Sequence, residues 1–362
     1  MKRILILNNY SINRVEQEIN ERKKPSHHLY GVIELEKLGY IITSIETDKN
    51  SFIFKFGYFL SFIPFCNLGD LFQQIKAIQK RNEYDIVYAL SQDVTTFLGL
   101  LSYFGLYKKP LIALIHHPIL RGRLSSIRKY STFFSLSGHT YLPALSSTVA
   151  KQINTITKKN TSFEIKWGPD INYYNHAEVS TNHFINDIDL LAIGRTGRDY
   201  ATLINAFNNT NIRVVVFCDE GNRNIIPTEY TSNIEINWLP FAESLDYNTI
   251  IGLYHKTKII AIPMFDQDSL CGLTSITDAI ALGKPIIITR NKYINIDPAL
   301  NKFGMWVSAN NENDWRNAAD SILTNTLLFE EMSVNAKSIS LTEYNIDSFA
   351  DKIEQLINQS LN

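Results

Sequence analysis

The sequence predicts an α/β protein built from two successive Rossmann-like domains, and three observations carry that expectation. Short apolar strands rich in β-branched residues alternate with amphipathic helical stretches almost from end to end, the mark of parallel sheets with crossover helices. The alternation restarts in the second half of the chain without repeating any sequence. A length of 362 residues exceeds one ordinary core and suits two.

The first half supplies four runs of strand length: Ile4–Leu7, Ile41–Ile45, Ile86–Leu90 and Leu111–Ile115. Between the first two, apolar residues at Leu29, Val32, Ile33, Leu35 and Leu38 follow a helical period that Gly39 closes. The segment Lys166-Trp167-Gly168-Pro169-Asp170 then punctuates the chain, and a polar stretch from Asn172 to Asn186 reads as linker. The second half brings strands at Leu190–Ile193, Val214–Cys218, Ile259–Ile262 and Ile286–Thr289, with a helix at Ala201–Phe207. Domains are therefore expected at 1–168 and 169–345. The last helix, Ile346–Leu361, carries apolar residues at Phe349, Ile353, Leu356 and Ile357, and its pattern permits 346–362 to pack back on the first domain.

Composition narrows the partners. Lys+Arg total 35 and Asp+Glu total 36, so no overall charge draws the chain to nucleic acid. Cys66, Cys218 and Cys271 stand far apart in sequence. That spacing fits a reducing cytoplasm and builds neither a disulfide framework nor a zinc site. The start, Met1-Lys2-Arg3-Ile4-Leu5-Ile6-Leu7, reads as a first strand rather than a secretory signal. The most apolar stretch, Phe52–Phe65, is interrupted by Lys55, Gly57 and Pro64 and is too short to span a bilayer. Two readings of it stand: a helix packed in the N-terminal core, or a surface resting on a membrane that holds a lipid-linked acceptor.

Chemistry in open parallel sheets gathers where strands end, and the groove between two such domains is the default site. At one junction, a strand ends at Pro263 and a polar loop leads through Asp268, Ser269 and Gly272 into a helix beginning near Leu273, Thr274 and Ser275. Glycine admits close backbone approach, and exposed amides at a helix start receive phosphate. Asp278, one turn inside, is placed to accept hydrogen bonds from ribose hydroxyls. The plainer reading is an ordinary capped helix in which Asp278 is solvated. At a second junction, Gly194 and two arginines, Arg195 and Arg198, follow a hydrophobic strand directly. Guanidinium groups match diphosphate oxygens, although arginines on a surface turn are common. At a third, His116 and His117 end a strand of the first half, as metal ligands, acid/base groups or sugar contacts. Too few converging ligands surround them for a metal site. By the same topology, Asn9, His27 and His28 are candidates for the acceptor side.

Gly194-Arg195 with Arg198, followed by Asp278-Ala279-Ile280-Ala281-Leu282-Gly283-Lys284-Pro285, resembles the retaining GT-B glycosyltransferases of family 4. There a Gly-Arg motif with a second basic residue precedes an acidic residue and Ala-Met-Ala-x-Gly-x-Pro. Trp167-Gly168-Pro169-Asp170 and Tyr344-Asn345-Ile346 are similar to the family's linker and closing segment. The resemblance covers most of the second half and the first half only in outline. It implies two domains facing across a cleft, with a returning C-terminal helix. The nucleotide-sugar donor, a UDP- or GDP-sugar, is held by the second domain, and a glycan or polyprenyl-linked acceptor by the first. Retention of anomeric configuration, no metal cofactor, and work in surface polysaccharide synthesis on the inner face of the cell membrane are also implied. Arg195 and Arg198 then neutralise the leaving diphosphate and His116 faces the transferred sugar. One departure stands out: Leu270 occupies the position of an acidic residue that lies near that sugar in the family, with Asp268 two residues earlier. A sugar-nucleotide epimerase of the same shape, a solute-binding protein with two α/β lobes, and an inactive nucleotide-binding relative are the rival readings.

Overall fold

A computed structural model describes residues 1–63, 66–120, 125–177, 187–241, 243 and 245–362. The chain divides into two compact units. The first comprises Met1–Glu21, Ser26–Trp167 and Ile346–Asn362, and the second Arg22–Pro25 and Gly168–Asn345.

The first unit begins with β1 (Arg3–Leu7), α1 (Ile12–Asn20), α2 (Val32–Lys37), β2 (Ile41–Ser44), α3 (Phe52–Ser61) and α4 (Leu71–Gln79). It continues through β3 (Ile86–Ala89), α5 (Thr96–Tyr103), β4 (Leu111–Ala113), α6 (Ser125–Ser137) and α7 (Ser147–Thr157). The four strands pair in parallel in the order β2-β1-β3-β4. β3 is buried throughout, as a strand covered on both faces must be.

The second unit contains α8 (Ile171–His176), β5 (Ile188–Ile193), α9 (Tyr200–Phe207), β6 (Val214–Asp219), β7 (Ile234–Leu239), α10 (Tyr247–His255) and β8 (Thr257–Ile262). There follow α11 (Leu273–Ala281), β9 (Ile286–Thr289), β10 (Gly304–Val307), α12 (Glu312–Leu323) and α13 (Thr326–Thr342). Its six parallel strands run β10-β9-β8-β5-β6-β7, the doubly wound order in which the chain works outward from β5 first to one side and then to the other. A core of Tyr200, Phe207, Val216, Ile259 and Trp315 fills one face of this sheet.

The last helix, α14 (Ile346–Leu361), belongs to the first unit. Phe349 and Ile353 are fully buried there. Gly31 admits the helix: a Cβ at that position would lie 3.2 Å from the Ala350 Cβ. Tyr40 and Lys2 both bond the Asn358 side chain, at 3.0 and 2.7 Å.

Three sequence expectations need correction. The second sheet has two strands, β7 and β10, that the apolar runs did not reveal. Both are sheet edges: β7 is half covered and polar residues interrupt it, as in Ile234-Glu235-Ile236-Asn237, while β10 is a run of only four residues opened by Gly304. The polar stretch read as linker begins instead with α8, capped by Asp170, whose carboxylate accepts from the Tyr173 amide at 3.0 Å; residues 178–186 lie outside the described residues. The apolar stretch does form a helix, α3, but not one buried in a core. Gly57 is its one buried residue, while Phe52, Phe59 and Phe62 are 80%, 65% and 70% exposed. Pro64 and Phe65 lie outside the described residues.

Candidate functional site

The doubly wound order places a topological switch point between β5 and its neighbour β8, the crevice where such sheets bind ligands. The Gly194–Asp199 turn follows β5, and the Pro263–Gly272 loop follows β8. The two are zipped together: the Asp199 amide donates to the Pro263 carbonyl at 3.2 Å, and the Phe265 amide to the Gly197 carbonyl at 3.1 Å. Arg198 and Met264 form an antiparallel bridge between them.

This pairing decides where Arg198 goes. The side chain is 6% exposed, and its Nη2 donates to the Ser275 hydroxyl at 2.9 Å, in the first turn of α11. Nη1 is buried with no hydrogen-bond partner. A buried donor on a charged group is costly to leave unfilled, and no ion pair to Arg198 occurs among the described residues. Two glycines clear the space around it. A Cβ at Gly194 would lie 2.3 Å from the Arg198 Nε. Gly272, at φ +88°, begins α11 in the left-handed region with Arg198 Nη1 nearby.

The start of α11 adds to the positive field. No side chain caps it and its first turn holds no acidic residue, so its amides and dipole end face the same place as the guanidinium. Leu273 and Thr274 belong to that first turn, with Thr274 exposed. The arrangement suits an anion with several oxygens.

Arg195 takes a different course. It is exposed, and its Nη1 reaches the Glu243 carbonyl at 3.4 Å. Of the two arginines, the contact to α11 is made by Arg198.

The plainer reading of an ordinary capped helix with a solvated Asp278 does not hold, since no side chain caps α11 and Asp278 is buried. It is 5% exposed, and its carboxylate accepts a hydrogen bond from the Tyr174 hydroxyl of α8. Burial raises its pKa to about 7, with the Tyr174 bond acting in the opposite direction. Tyr174 packs with Tyr247 and Ile251 of α10 and Ala281 of α11. Sequence reasoning missed Tyr174. Its signal was the Asp170 cap three residues before Tyr173-Tyr174, which makes α8 a helix with an apolar face to bury.

The Pro263–Gly272 loop is ordered by polar pairs. Asp268 is exposed and ion-paired with Lys292 at 2.5 Å, which holds its carboxyl below the usual range. The Ser269 carbonyl accepts from the Asn291 amide at 2.9 Å. Leu270 is 5% exposed, so its side chain packs inward.

The first unit disposes its candidates unequally. Asn9 is exposed and its amide lies 3.5 Å from an Asp93 oxygen. Asp93, with Asn67, Leu68, Gln92, Arg128 and Phe134, lines a cavity of about 280 Å³. The His116 Nε2 stands 2.6 Å from the Leu90 carbonyl and Nδ1 3.4 Å from the Tyr30 hydroxyl, with the Tyr30 ring edge-on at 4.8 Å. Burial lowers the His116 pKa, so the ring is neutral, with Nε2–H donating and Nδ1 accepting. A ligand would have to displace one of these bonds. His117 is exposed. His27 corrects the acceptor-side expectation, because it is fully buried beside the Trp167 ring at 5.1 Å and its pKa falls to about 3. It is a core histidine, and the Trp167 indole donates to its carbonyl at 3.0 Å. His28 is half-buried, and its carbonyl accepts from the Tyr10 hydroxyl at 2.5 Å. Among the described residues no three His, Cys, Asp or Glu side chains gather as a metal site would require.

No family model and no curated protein matches the chain. Solved structures do. Alr3699/HepE from Anabaena, in complex with UDP and glucose, matches at a TM-score of 0.66 and 14% identity, over 99% of this chain and all of that one. Sucrose-phosphate synthase from Thermosynechococcus elongatus matches at 0.71 and 12% identity, over 99% of both chains. A glycosyltransferase from Rickettsia africae matches at 0.66 and 18% identity, over 100% of this chain and 99% of that one. At these identities the likeness is one of architecture, and over its whole length the chain has the GT-B fold of two Rossmann-like units.

Proposed function

We propose that the chain is a glycosyltransferase that takes sugar from a nucleotide-sugar donor, a UDP- or GDP-sugar, and passes it to a glycan or polyprenyl-linked acceptor. One observation carries the reading: the buried Arg198 guanidinium, with an unfilled donor, beside the uncapped start of α11. As the sugar departs, charge accumulates on the diphosphate. Fixed positive groups already in place at that point stabilise the transition state more than the bound donor. Arg195 stands at the outer edge of the same turn, as a second cation for the departing group. Asp278 is the ribose partner, sharing its carboxylate with Tyr174. The resemblance to the family 4 enzymes supports retention of configuration without a metal cofactor, and a role in surface polysaccharide synthesis. The acceptor lies on the first unit, where Asn9 contacts Asp93 and Asp93 lines a cavity.

The test is a thermal-shift panel of UDP-, GDP- and ADP-sugars. The donor class is expected to raise the melting temperature by several degrees when its concentration is about 100 times Kd. Arg195→Ala is expected to weaken that shift and slow transfer. Unchanged transfer in this variant would remove Arg195 from the diphosphate role, and no shift with any member of the panel would remove the donor reading. An epimerase is told apart by turnover of the nucleotide-sugar without any acceptor.

The exposed face of α3 supports work at a membrane surface. Phe52, Phe59 and Phe62 project from a helix without an acidic residue, and Lys55 is exposed on it. Aromatic rings with a basic neighbour suit the interface of an anionic bilayer. The double variant Phe52→Ser/Phe59→Ser is expected to lose most of its co-sedimentation with phosphatidylglycerol vesicles and keep its fold. Equal sedimentation of both proteins would refute the assignment.

A further inference from the structure

Leu270 stands where the resembling enzymes place an acid near the transferred sugar, and its side chain is buried. The sugar's hydroxyls therefore need partners from elsewhere in the second unit. Such partners gather in a cavity of about 340 Å³ at the carboxyl ends of β8, β9 and β10. Phe265, Asp266 and Gln267 line it from the loop after β8, Arg290 and Lys292 from the segment after β9, and Ser308 from the end of β10.

Its position follows from Gln267. This residue both lines the cavity and packs its amide on Gly197, where a Cβ would come within 1.8 Å of Nε2. Gly197 lies in the turn between Arg195 and Arg198. The cavity thus borders the turn that carries Arg198, with Gln267 packed on the residue next to it.

The lining has the chemistry of a pyranose site. Sugar hydroxyls both donate and accept, and the walls answer with a carboxylate at Asp266, cations at Arg290 and Lys292, and a hydroxyl at Ser308. The Phe265 ring offers an apolar surface for the carbon face of the ring. Arg290 is pre-positioned: its guanidinium lies 5.3 Å from the centre of the Trp306 ring, and the Trp306 indole is fixed by Asp297 at 2.8 Å. Lys292 is held by Asp268 at 2.5 Å. The volume is at the small end of ligand pockets, about 300–1,000 Å³, and fits one sugar ring rather than a chain.

We infer that this cavity receives the transferred sugar of the donor, with Asp266 and Arg290 as its specificity-determining residues. The inference rests on the donor reading above. The test titrates matched pairs, UDP with UDP-glucose, GDP with GDP-mannose and ADP with ADP-glucose, into the wild type, Asp266→Asn and Arg290→Ala. For the pair that binds, each variant is expected to weaken the nucleotide-sugar about tenfold and to leave the bare nucleotide within about twofold. Both side chains are exposed, so unchanged melting curves are expected to show that the variants fold. Equal losses for both members of a pair, or no loss for either, would overturn the sugar assignment and leave the diphosphate site standing. No binding of any nucleotide by the wild type would overturn the donor reading itself, and this inference with it.

Discussion

Replacing Arg198 with alanine is expected to lower kcat/KM for sugar transfer by about 10²–10³-fold, the cost of removing one pre-organised donor from developing charge. The melting temperature of the same variant is expected to stay level or rise. The guanidinium is buried, one of its nitrogens has no hydrogen-bond partner, and no carboxylate pairs with it among the described residues. Its removal relieves a desolvation penalty that the free protein otherwise carries. A structural arginine would behave in the opposite way, since the Ser275 hydroxyl and the Ile193 carbonyl would lose a partner. Initial-rate kinetics beside thermal melts with and without nucleotide separate the two. A variant that melts several degrees lower and transfers sugar normally would end the anion-site assignment.

The second large effect concerns pH. Burial raises the Asp278 carboxyl to about 7, whereas in the unfolded chain it titrates near 3.9. Between these values the native state holds a proton that the unfolded state has released. The contribution of this carboxyl to stability is therefore fullest below about pH 4 and is lost as pH rises to about 7. The span corresponds to about 4 kcal/mol. Asp278→Asn keeps an acceptor for the Tyr174 hydroxyl and removes the titration. At pH 8 it is expected to melt on the order of 10 °C above the wild type, with the difference shrinking toward pH 4. Parallel melting curves from pH 4 to 8 would show that the carboxyl is not desolvated as the structure has it.

Much of the fold was legible because burial on both faces writes a strand as a continuous apolar run. Leu190–Ile193 and Ile286–Thr289 are such runs, and both lie inside the six-stranded sheet. β7 was illegible for the complementary reason, since an edge strand covers only part of its surface and admits polar residues; β10 is only four residues long and opens on a glycine. The helix of Phe52–Ser61 shows another limit. Its apolar residues are spread around the helix, so periodicity gives no broad polar side with which to point it inward or outward. Only the neighbours it lacks reveal that it is exposed.

The site shows the same division. Glycine and arginine directly after a strand, and a glycine opening a helix, were enough to mark two junctions that the fold brings together, because strand ends and helix starts expose unpaired amides wherever they occur. Which arginine turns inward was undecidable from two residues three apart in one turn. The deciding partner, Ser275, lies 77 residues further on. Likewise the sequence left Asp278 open between a ribose contact and a solvated helix residue, and its burial comes from Tyr174, 104 residues away.

Local sequence thus determined the strands, the helix starts and the glycines that open space, since these depend on side-chain period and backbone freedom. Tertiary structure alone decided which charges are desolvated and which remain in water. That property belongs to the surroundings a side chain acquires on folding, and those surroundings come from distant parts of the chain.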